Sequence, residues 1–259
     1  MAAIRTMLLG ALVLAASLGL LGCDTKAPET MQATTQAPMQ AQACLALPKP
    51  PDTLLKLAEC CAARLDSNPG CRLYDQSNQY VIIKDNARDK PQAYLIVPTI
   101  KVTGIEDPLV LSRPVVDFWQ YGWARSATYP GRPPSDTALA INSADGRSQN
   151  QLHIHIACVR RDVKDIVLAG NVPSYPGRAI TVRLPPQQHV YRVVRVDGLG
   201  ASLSPFLLIH DTAAGRMNMA NQSIAVVGSS RAGEYYLLST SYSADNPAFA
   251  EELLDQSCT

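Results

Sequence analysis

The sequence predicts an α+β fold: a mainly antiparallel sheet with flanking helices. Three observations carry this. β-rich runs come in pairs joined by short polar turns, such as "QYVIIKD" and "QAYLIVPT" around "NARDKP". Strands in hairpins, not alternating with helices, argue against a doubly wound parallel sheet. Helical spacing of apolar residues is confined to a few short stretches. Finally, of 259 residues the first forty or so are unsuited to a core, which leaves roughly two hundred, enough for one full core or two small ones.

The opening stretch "MAAIRT" carries the basic Arg5 and is followed by the unbroken apolar segment "MLLGALVLAASLGLLGC". A basic start, about fifteen apolar residues and a small residue before a break make an export signal. The segment is short for a stable membrane span, which needs about twenty. Its ending "LLGC" resembles a bacterial lipobox, with residues 1–22 as signal peptide and Cys23 as the lipidated first residue of the mature chain. An uncleaved anchor and ordinary secretion are the alternatives, and all three take the chain out of the cytoplasm. Asp24 resembles an inner-membrane retention signal, so the expected location is the periplasmic face of the bacterial inner membrane, lipid-anchored. Residues 23–43 are Thr, Gln, Ala and Pro with almost nothing large and apolar, the composition of a flexible tether. The domain is expected over residues 44–259.

Charge excludes one class of partner. A net charge of +1, with 17% charged residues, gives no basic excess, and aromatics are not interleaved with basic runs, so no nucleic-acid partner is expected. Seven cysteines less Cys23 leave an even six, which in an exported chain reads as disulfides. "ECCAARLDSNPGC" forms a local loop closed by Cys71 with Cys60 or Cys61, Cys44 taking the other. Cys158 with Cys258 would tie a central strand to the C-terminus. Six cysteines allow fifteen pairings, so this is a preference among many. Cysteine spacing argues against a zinc site.

Within the domain, "DTLLKLAECCAARL" is a short helix by its spacing. "PVVDFWQYGWARSATY" is an amphipathic helix with Asp117 in its first turn. "ALAIN" and "QLHIHIACV" are strands around a loop of Ser, Asp, Gly, Arg and Asn. "GRAITVRLP", "HVYRVVRV", "PFLLIHD", "SIAVVGS" and "EYYLLSTSY" read as further strands. "NPAFAEELLDQSC" reads as a closing helix, with Asp245 or Asn246 as cap and Pro247 in its first turn. "NQYVIIKDNARDKPQAYLIVPT" and "NQSIAVVGSSRAGEYYLLSTSY" echo one another, through coincidence or as two related half-domains.

The chemistry concentrates in "INSADGRSQNQLHIHIACV", which holds two of the four histidines. Successive side chains of a strand point to opposite faces. Leu152, Ile154, Ile156 and Cys158 then make a core face, while Gln151, His153, His155 and Ala157 share the other. The preceding loop offers backbone N–H, hydroxyl, amide and guanidinium donors, which together suit an anion such as phosphate. Three readings compete: incidental surface histidines, a two-histidine metal site needing a third ligand, and nucleophilic catalysis by imidazole at phosphorus.

A family resemblance favours the last. "GRSQNQLHIHIA" resembles the strand motif of the histidine triad superfamily of nucleotide hydrolases and transferases. Gly146 and Ser148 stand at its glycine and hydroxyl positions, His153 at the middle histidine and His155 at the third. Arg147 replaces the usual glutamine and Gln151 the first histidine. A rival register, with His153 first, loses the match at Gly146 and Ser148. More narrowly, "INSxxGRSQNxxHIHIxC" with "YVIIKD", "AYLIVPTIKVTGIEDP" and "SPFLLI" resembles the bacterial CDP-diacylglycerol pyrophosphatases, from about residue 55 to the end.

The resemblance implies a histidine-triad-like fold and a membrane-associated hydrolase that turns CDP-diacylglycerol into CMP and phosphatidate. It implies a covalent nucleotidyl-histidine intermediate and no metal or other cofactor, in keeping with the expected lack of a carboxylate cluster at the site. His153 is then the expected nucleophile and His155 its supporting donor. Ser148, Gln151, Asn142, Arg147 and Gly146 are the expected substrate contacts. Lys84 and Asp85 either lie near the nucleotide or only form a turn. Trp119, Tyr121 and Trp123 either serve the cytosine ring and acyl chains or pack the core. A broader nucleoside-diphosphate-linked hydrolase and a non-catalytic nucleotide- or lipid-binding lipoprotein are the alternatives.

Overall fold

The computed structural model describes residues 44, 51, 53–63, 70–112, 117–200 and 202–259. The expectations for the signal segment, Cys23 and the tether lie outside the described residues. No helix among the described residues is long and apolar enough to cross a membrane.

One sheet dominates. Its strands are β1 (Cys71–Asp75), β2 (Tyr80–Lys84), β3 (Tyr94–Pro98), β4 (Thr137–Ile141), β5 (Ile154–Val159), β6 (Ile180–Leu184), β7 (His189–Asp197), β8 (Gln222–Gly228), β9 (Glu234–Ser241) and β10 (Leu254–Asp255). Their order is β1-β2-β3-β5-β4-β8-β9-β7-β6, with β10 pairing β5 off this path. Every pairing between named strands is antiparallel, as the hairpin signals predict. The order reads the same from both sides of the β4–β8 pair. Hairpin β2–β3 is mirrored by β6–β7, and β5–β4 by β9–β8. Apart from β1, the two halves of the order are therefore topologically equivalent, whereas the sequence echo matches a different pair of hairpins, β2–β3 with β8–β9. Alternating apolar hairpins resemble one another whichever pair is compared, so local similarity cannot find the repeat that topology defines.

One face packs on α2 (Phe118–Ser126) and α4 (Pro205–His210). Its core includes Ile82, Ile96, Leu139, Ile154, Ile156, Val226 and Leu237, with Trp119 and Phe206. Asp117 caps α2 by accepting from the Gln120 N–H at 3.0 Å. Trp119 packs on Phe206, Tyr121 stacks on Tyr80 and Trp123 meets Tyr235 edge-on, so the packing reading of these three rings is the one observed. The run "PFLLIHD" is helical, not a strand. Short apolar runs do not distinguish the two by periodicity, and the Ser204–Pro205 start supplies a helix N-terminus.

The opposite face is covered in two places. α1 (Thr53–Ala63) lies over β1–β3, burying Leu54, Ala58 and Cys61 against Val81, Ile83, Leu95 and Val97. α3 (Arg161–Ala169), missing from the sequence reading, buries Val163 and Val167 one turn apart over β4, β5 and the second half. The C-terminal segment covers the same region. It is a 3-10 turn (Ala250–Leu253) leading into β10, where a closing helix is expected. Asn246 does turn the chain there: its side-chain oxygen accepts from the Ala248 N–H at 2.8 Å and its amide donates to the Thr240 hydroxyl at 2.8 Å. Pairing of Leu254 with Val159 and Asp255 with Cys158 then keeps the segment extended. The disulfides are Cys44–Cys60, Cys61–Cys71 and Cys158–Cys258. The long-range pair is the one preferred from sequence, and Cys71 selects Cys61 from its two candidates.

Candidate functional site

Between α1 and the C-terminal segment, the sheet face carrying His153 and His155 stays open as a cleft of about 440 Å³. Thr53, Leu54, Leu57, Ile83 and Leu95 form its apolar wall. Lys84, Asp85, Lys90, Asn142, Glu251 and the loop Gly146–Gln149 form the polar one. The opening depends on the register. β5 pairs with β3 through Leu95–His155 and with β4 through Ala140–His155. The aliphatic row under α1 thus ends at the histidine, and an alanine beyond it leaves the imidazole room. On the same face of the second half, β9 carries Tyr236 and Leu238, both buried in the core under α3 and the C-terminal segment. Only the first half offers a histidine pair to a cleft.

His153 precedes the first paired residue of β5. Its Nδ1 lies 2.7 Å from the Gln151 carbonyl oxygen. A carbonyl only accepts, so Nδ1 carries the hydrogen. A neutral imidazole has a single N–H, which leaves a lone pair on Nε2. Burial pushes His153 down to about 4, with help from the adjacent His155. Near neutral pH the ring is therefore uncharged and nucleophilic at Nε2. The two rings lie 5.1 Å apart, edge to face. Burial also lowers His155, against the opposing pull of Glu251.

Gln151 does not reach the cleft. Its amide donates to the Pro98 and Ile100 carbonyls at 2.9 and 2.8 Å, and its side-chain oxygen accepts from the Val102 N–H at 3.3 Å. The expectation of substrate contact is corrected here: the regular strand begins at Ile154, so alternation does not extend back to residue 151. What Gln151 contributes is its backbone carbonyl, to His153.

Gly146, Arg147, Ser148 and Asn142 do line the cleft. The Arg147 guanidinium donates twice to Glu106, at 2.7 and 2.5 Å. Gly104 makes room for it, since a Cβ there would fall 2.2 Å from Arg147 Nη1. The loop rests on the C-terminal segment: the Ser143 N–H donates to the Ala248 carbonyl at 3.0 Å, the Ser143 hydroxyl donates to the Pro247 carbonyl at 2.7 Å, and the Gly146 N–H donates to that hydroxyl at 2.9 Å. Lys84 and Asp85 line the cleft as well.

Sequence reasoning missed Glu251 and Lys90. Glu251 Oε2 lies 3.2 Å from His155 Nε2 and accepts from the Asn142 amide at 3.2 Å. Its Oε1 accepts from Lys90 and Gln256, each at 2.5 Å. Burial alone would raise this carboxyl, but His155, Lys90 and Gln256 more than offset that and hold it at about 2. The site therefore does contain carboxylates, contrary to expectation. Ligand atoms of Asp85, His155 and Glu251 lie within 4.8 Å of one another. The Lys90 ammonium stands 2.5 Å from Glu251 and 3.5 Å from Asp85, so one cation is shared by the two carboxylates. The one signal that pointed here was the preferred Cys158–Cys258 bridge, which brings the end of the chain to β5.

Among solved structures, yeast Ap4A phosphorylase Apa2 matches with 11% identity and a TM-score of 0.43, over 68% of this chain and 62% of that one. The same enzyme in complex with Ap4A matches with 10% identity and a TM-score of 0.43, over 68% and 65%. The matched region thus spans less than two thirds of either neighbour. The family model for CDP-diacylglycerol pyrophosphatase matches residues 49–259, which include every described element of the sheet and the whole cleft. The chain belongs to the CDP-diacylglycerol pyrophosphatase family.

Proposed function

We propose that this chain hydrolyses CDP-diacylglycerol to CMP and phosphatidate at a membrane surface, through a covalent cytidylyl-histidine intermediate on His153. The observation that carries the reading is the 2.7 Å contact of His153 Nδ1 with the Gln151 carbonyl in a ring held neutral. In the first step Nε2 attacks the phosphorus of the CMP moiety. The P–N bond forms, the phosphoanhydride P–O bond breaks, and phosphatidate leaves with the bonding pair. In the second, water attacks the same phosphorus, the P–N bond breaks, and CMP departs as Nε2 recovers its lone pair. Splitting one displacement into two is the general use of covalent catalysis. Charge on the non-bridging oxygens is met by preorganised donors: the Ser148 hydroxyl, loop N–H groups near Gly146 and the Asn142 amide, beside Arg147 and Lys90, whose charges are shared with Glu106 and with Glu251 and Asp85. No step passes through a metal or other cofactor.

The purified domain should release CMP from CDP-diacylglycerol in excess EDTA. Equal turnover of soluble CDP-alcohols would turn the reading into a broader nucleoside-diphosphate-linked hydrolase. Binding without CMP release would leave a nucleotide- or lipid-binding lipoprotein. Membrane association rests on the N-terminal signal and Cys23. The wild-type chain should sediment with inner membranes and incorporate labelled palmitate, and Cys23→Ser should lose the label. Wild-type protein that takes up no palmitate would remove the lipid anchor from the proposal.

A further inference from the structure

The carboxylate missed by the sequence reading has a geometry that charge balance alone does not require. Glu251 is buried at the edge of the cleft, and three donors and one acceptor hold its carboxylate and backbone in place. Lys90 and Gln256 occupy Oε1. The Asn142 amide donates to Oε2, while the Asn142 side-chain oxygen accepts from the Glu251 N–H at 3.1 Å. The remaining approach to Oε2 is taken by His155 Nε2, at 3.2 Å. His155 itself is 5% exposed, and neither ring nitrogen has a hydrogen-bond partner of good geometry. A buried imidazole with two unsatisfied nitrogens is costly, and the carboxylate is the acceptor poised to bind one of them.

We infer that Glu251 is the positioning residue of His155. It holds the proton on Nε2 and leaves Nδ1 as the nitrogen that exchanges a proton with substrate and water. This rests on the proposed hydrolysis and goes beyond it, since it divides the two histidines by tautomer. His153 carries its hydrogen on Nδ1, because of the Gln151 carbonyl, and is a nucleophile at Nε2. His155 carries its hydrogen on Nε2, because of Glu251, and works at Nδ1. The hydrogen bond at one ring nitrogen sets what the other can do. In the first step His155, having taken up a proton at Nδ1 from solvent, gives it to the phosphatidate oxygen as the P–O bond breaks. In the second, neutral Nδ1 takes a proton from the attacking water as the P–N bond breaks. Proton and charge balance over the cycle, with water as the only co-reactant. The charged groups facing His155 are Glu251, Asp85 and Lys90. Of these, the carboxylates favour the cation that the first step needs, and Lys90 opposes it.

The tautomers can be read directly. Long-range ¹H–¹⁵N correlation spectra of histidine-labelled wild-type protein near neutral pH should show His155 protonated at Nε2 and bare at Nδ1. His153 should show the reverse. Loss of signals in His153→Asn and His155→Asn assigns them. His155 bare at Nε2 would overturn the inference. In kinetics, Glu251→Gln should lower kcat by no more than loss of His155 itself, about 10²–10³-fold, within the range of a general acid–base contribution, with KM little changed. The pH–rate limb belonging to His155 should move to lower pH, because a group that favours its cation has gone. A Glu251→Gln enzyme that only melts earlier, with kcat and the limb unmoved, would reduce Glu251 to a partner of Lys90. Should that variant not fold, the wild-type spectra decide. Absence of CMP release by wild type defeats the hydrolysis reading and leaves the tautomer result standing.

Discussion

His153→Ala is expected to abolish the covalent intermediate and to lower turnover of CDP-diacylglycerol by about 10⁴-fold or more, the scale of losing a nucleophile that acts as a unit with its neighbours. His155→Ala is expected to cost less, about 10²–10³-fold, as for removal of a single transition-state donor. The two differ because only His153 has its Nδ1 hydrogen engaged by a backbone carbonyl, at 2.7 Å. Quenching within one turnover with label in the cytidylyl phosphate should show an acid-labile, base-stable adduct on wild type and on His155→Ala. It should be missing from His153→Ala. If His153→Ala keeps the adduct and His155→Ala loses it, the nucleophile is His155 and the motif register is wrong. The pH dependence follows from the same ring. With its folded value near 4 and an unfolded value of about 6.5, His153 is neutral in the fold throughout that window. Adduct formation should hold up under acid until pH approaches 4. Over the same window the unfolded chain binds the proton that the native chain refuses, so this group makes stability rise with pH from about 4 to about 6.5. A limb for adduct formation at 6.5 would mean that the free enzyme does not bury the ring.

Replacing Cys158 and Cys258 together by serine should produce the largest loss of stability from any one covalent change. The bridge closes a loop with a sequence separation of 100, which contributes about 4–5 kcal/mol in the chain-entropy model. For a domain of this size the melting temperature should fall by roughly 10–20 °C. The bridge also fastens β10 to β5 at the Asp255–Cys158 pair. Part of that attachment survives without sulfur, because Leu254 and Asp255 remain paired with Val159 and Cys158 through the backbone. Serine variants should therefore fold, melt earlier, and lose activity before they lose secondary structure, as the segment bearing Glu251 loosens. Thermal unfolding in the absence of denaturant measures the first effect and CMP release against temperature the second. A double variant that melts with wild type would show that the bridge adds no stability.

The sequence by itself determined what is local. Apolar alternation defined most strands, Asp117 marked the start of a helix, and His153 and His155 one residue apart on a strand identified the chemistry. These are readable because backbone geometry puts residues i and i+2 of a strand on one face whatever surrounds them. Only the tertiary structure decided the rest. The run "PFLLIH" is helical because its apolar side chains are buried against the sheet, and a short apolar run is compatible with either state. Gln151 turned to the Pro98 and Ile100 carbonyls because pairing of β5 begins three residues later. Lys90 and Glu251 meet across a sequence separation of 161, and each looks like an ordinary surface charge in its own segment. What makes them part of the site is burial beside His155, and that burial exists only once β10 has paired with β5 and drawn the end of the chain across the sheet.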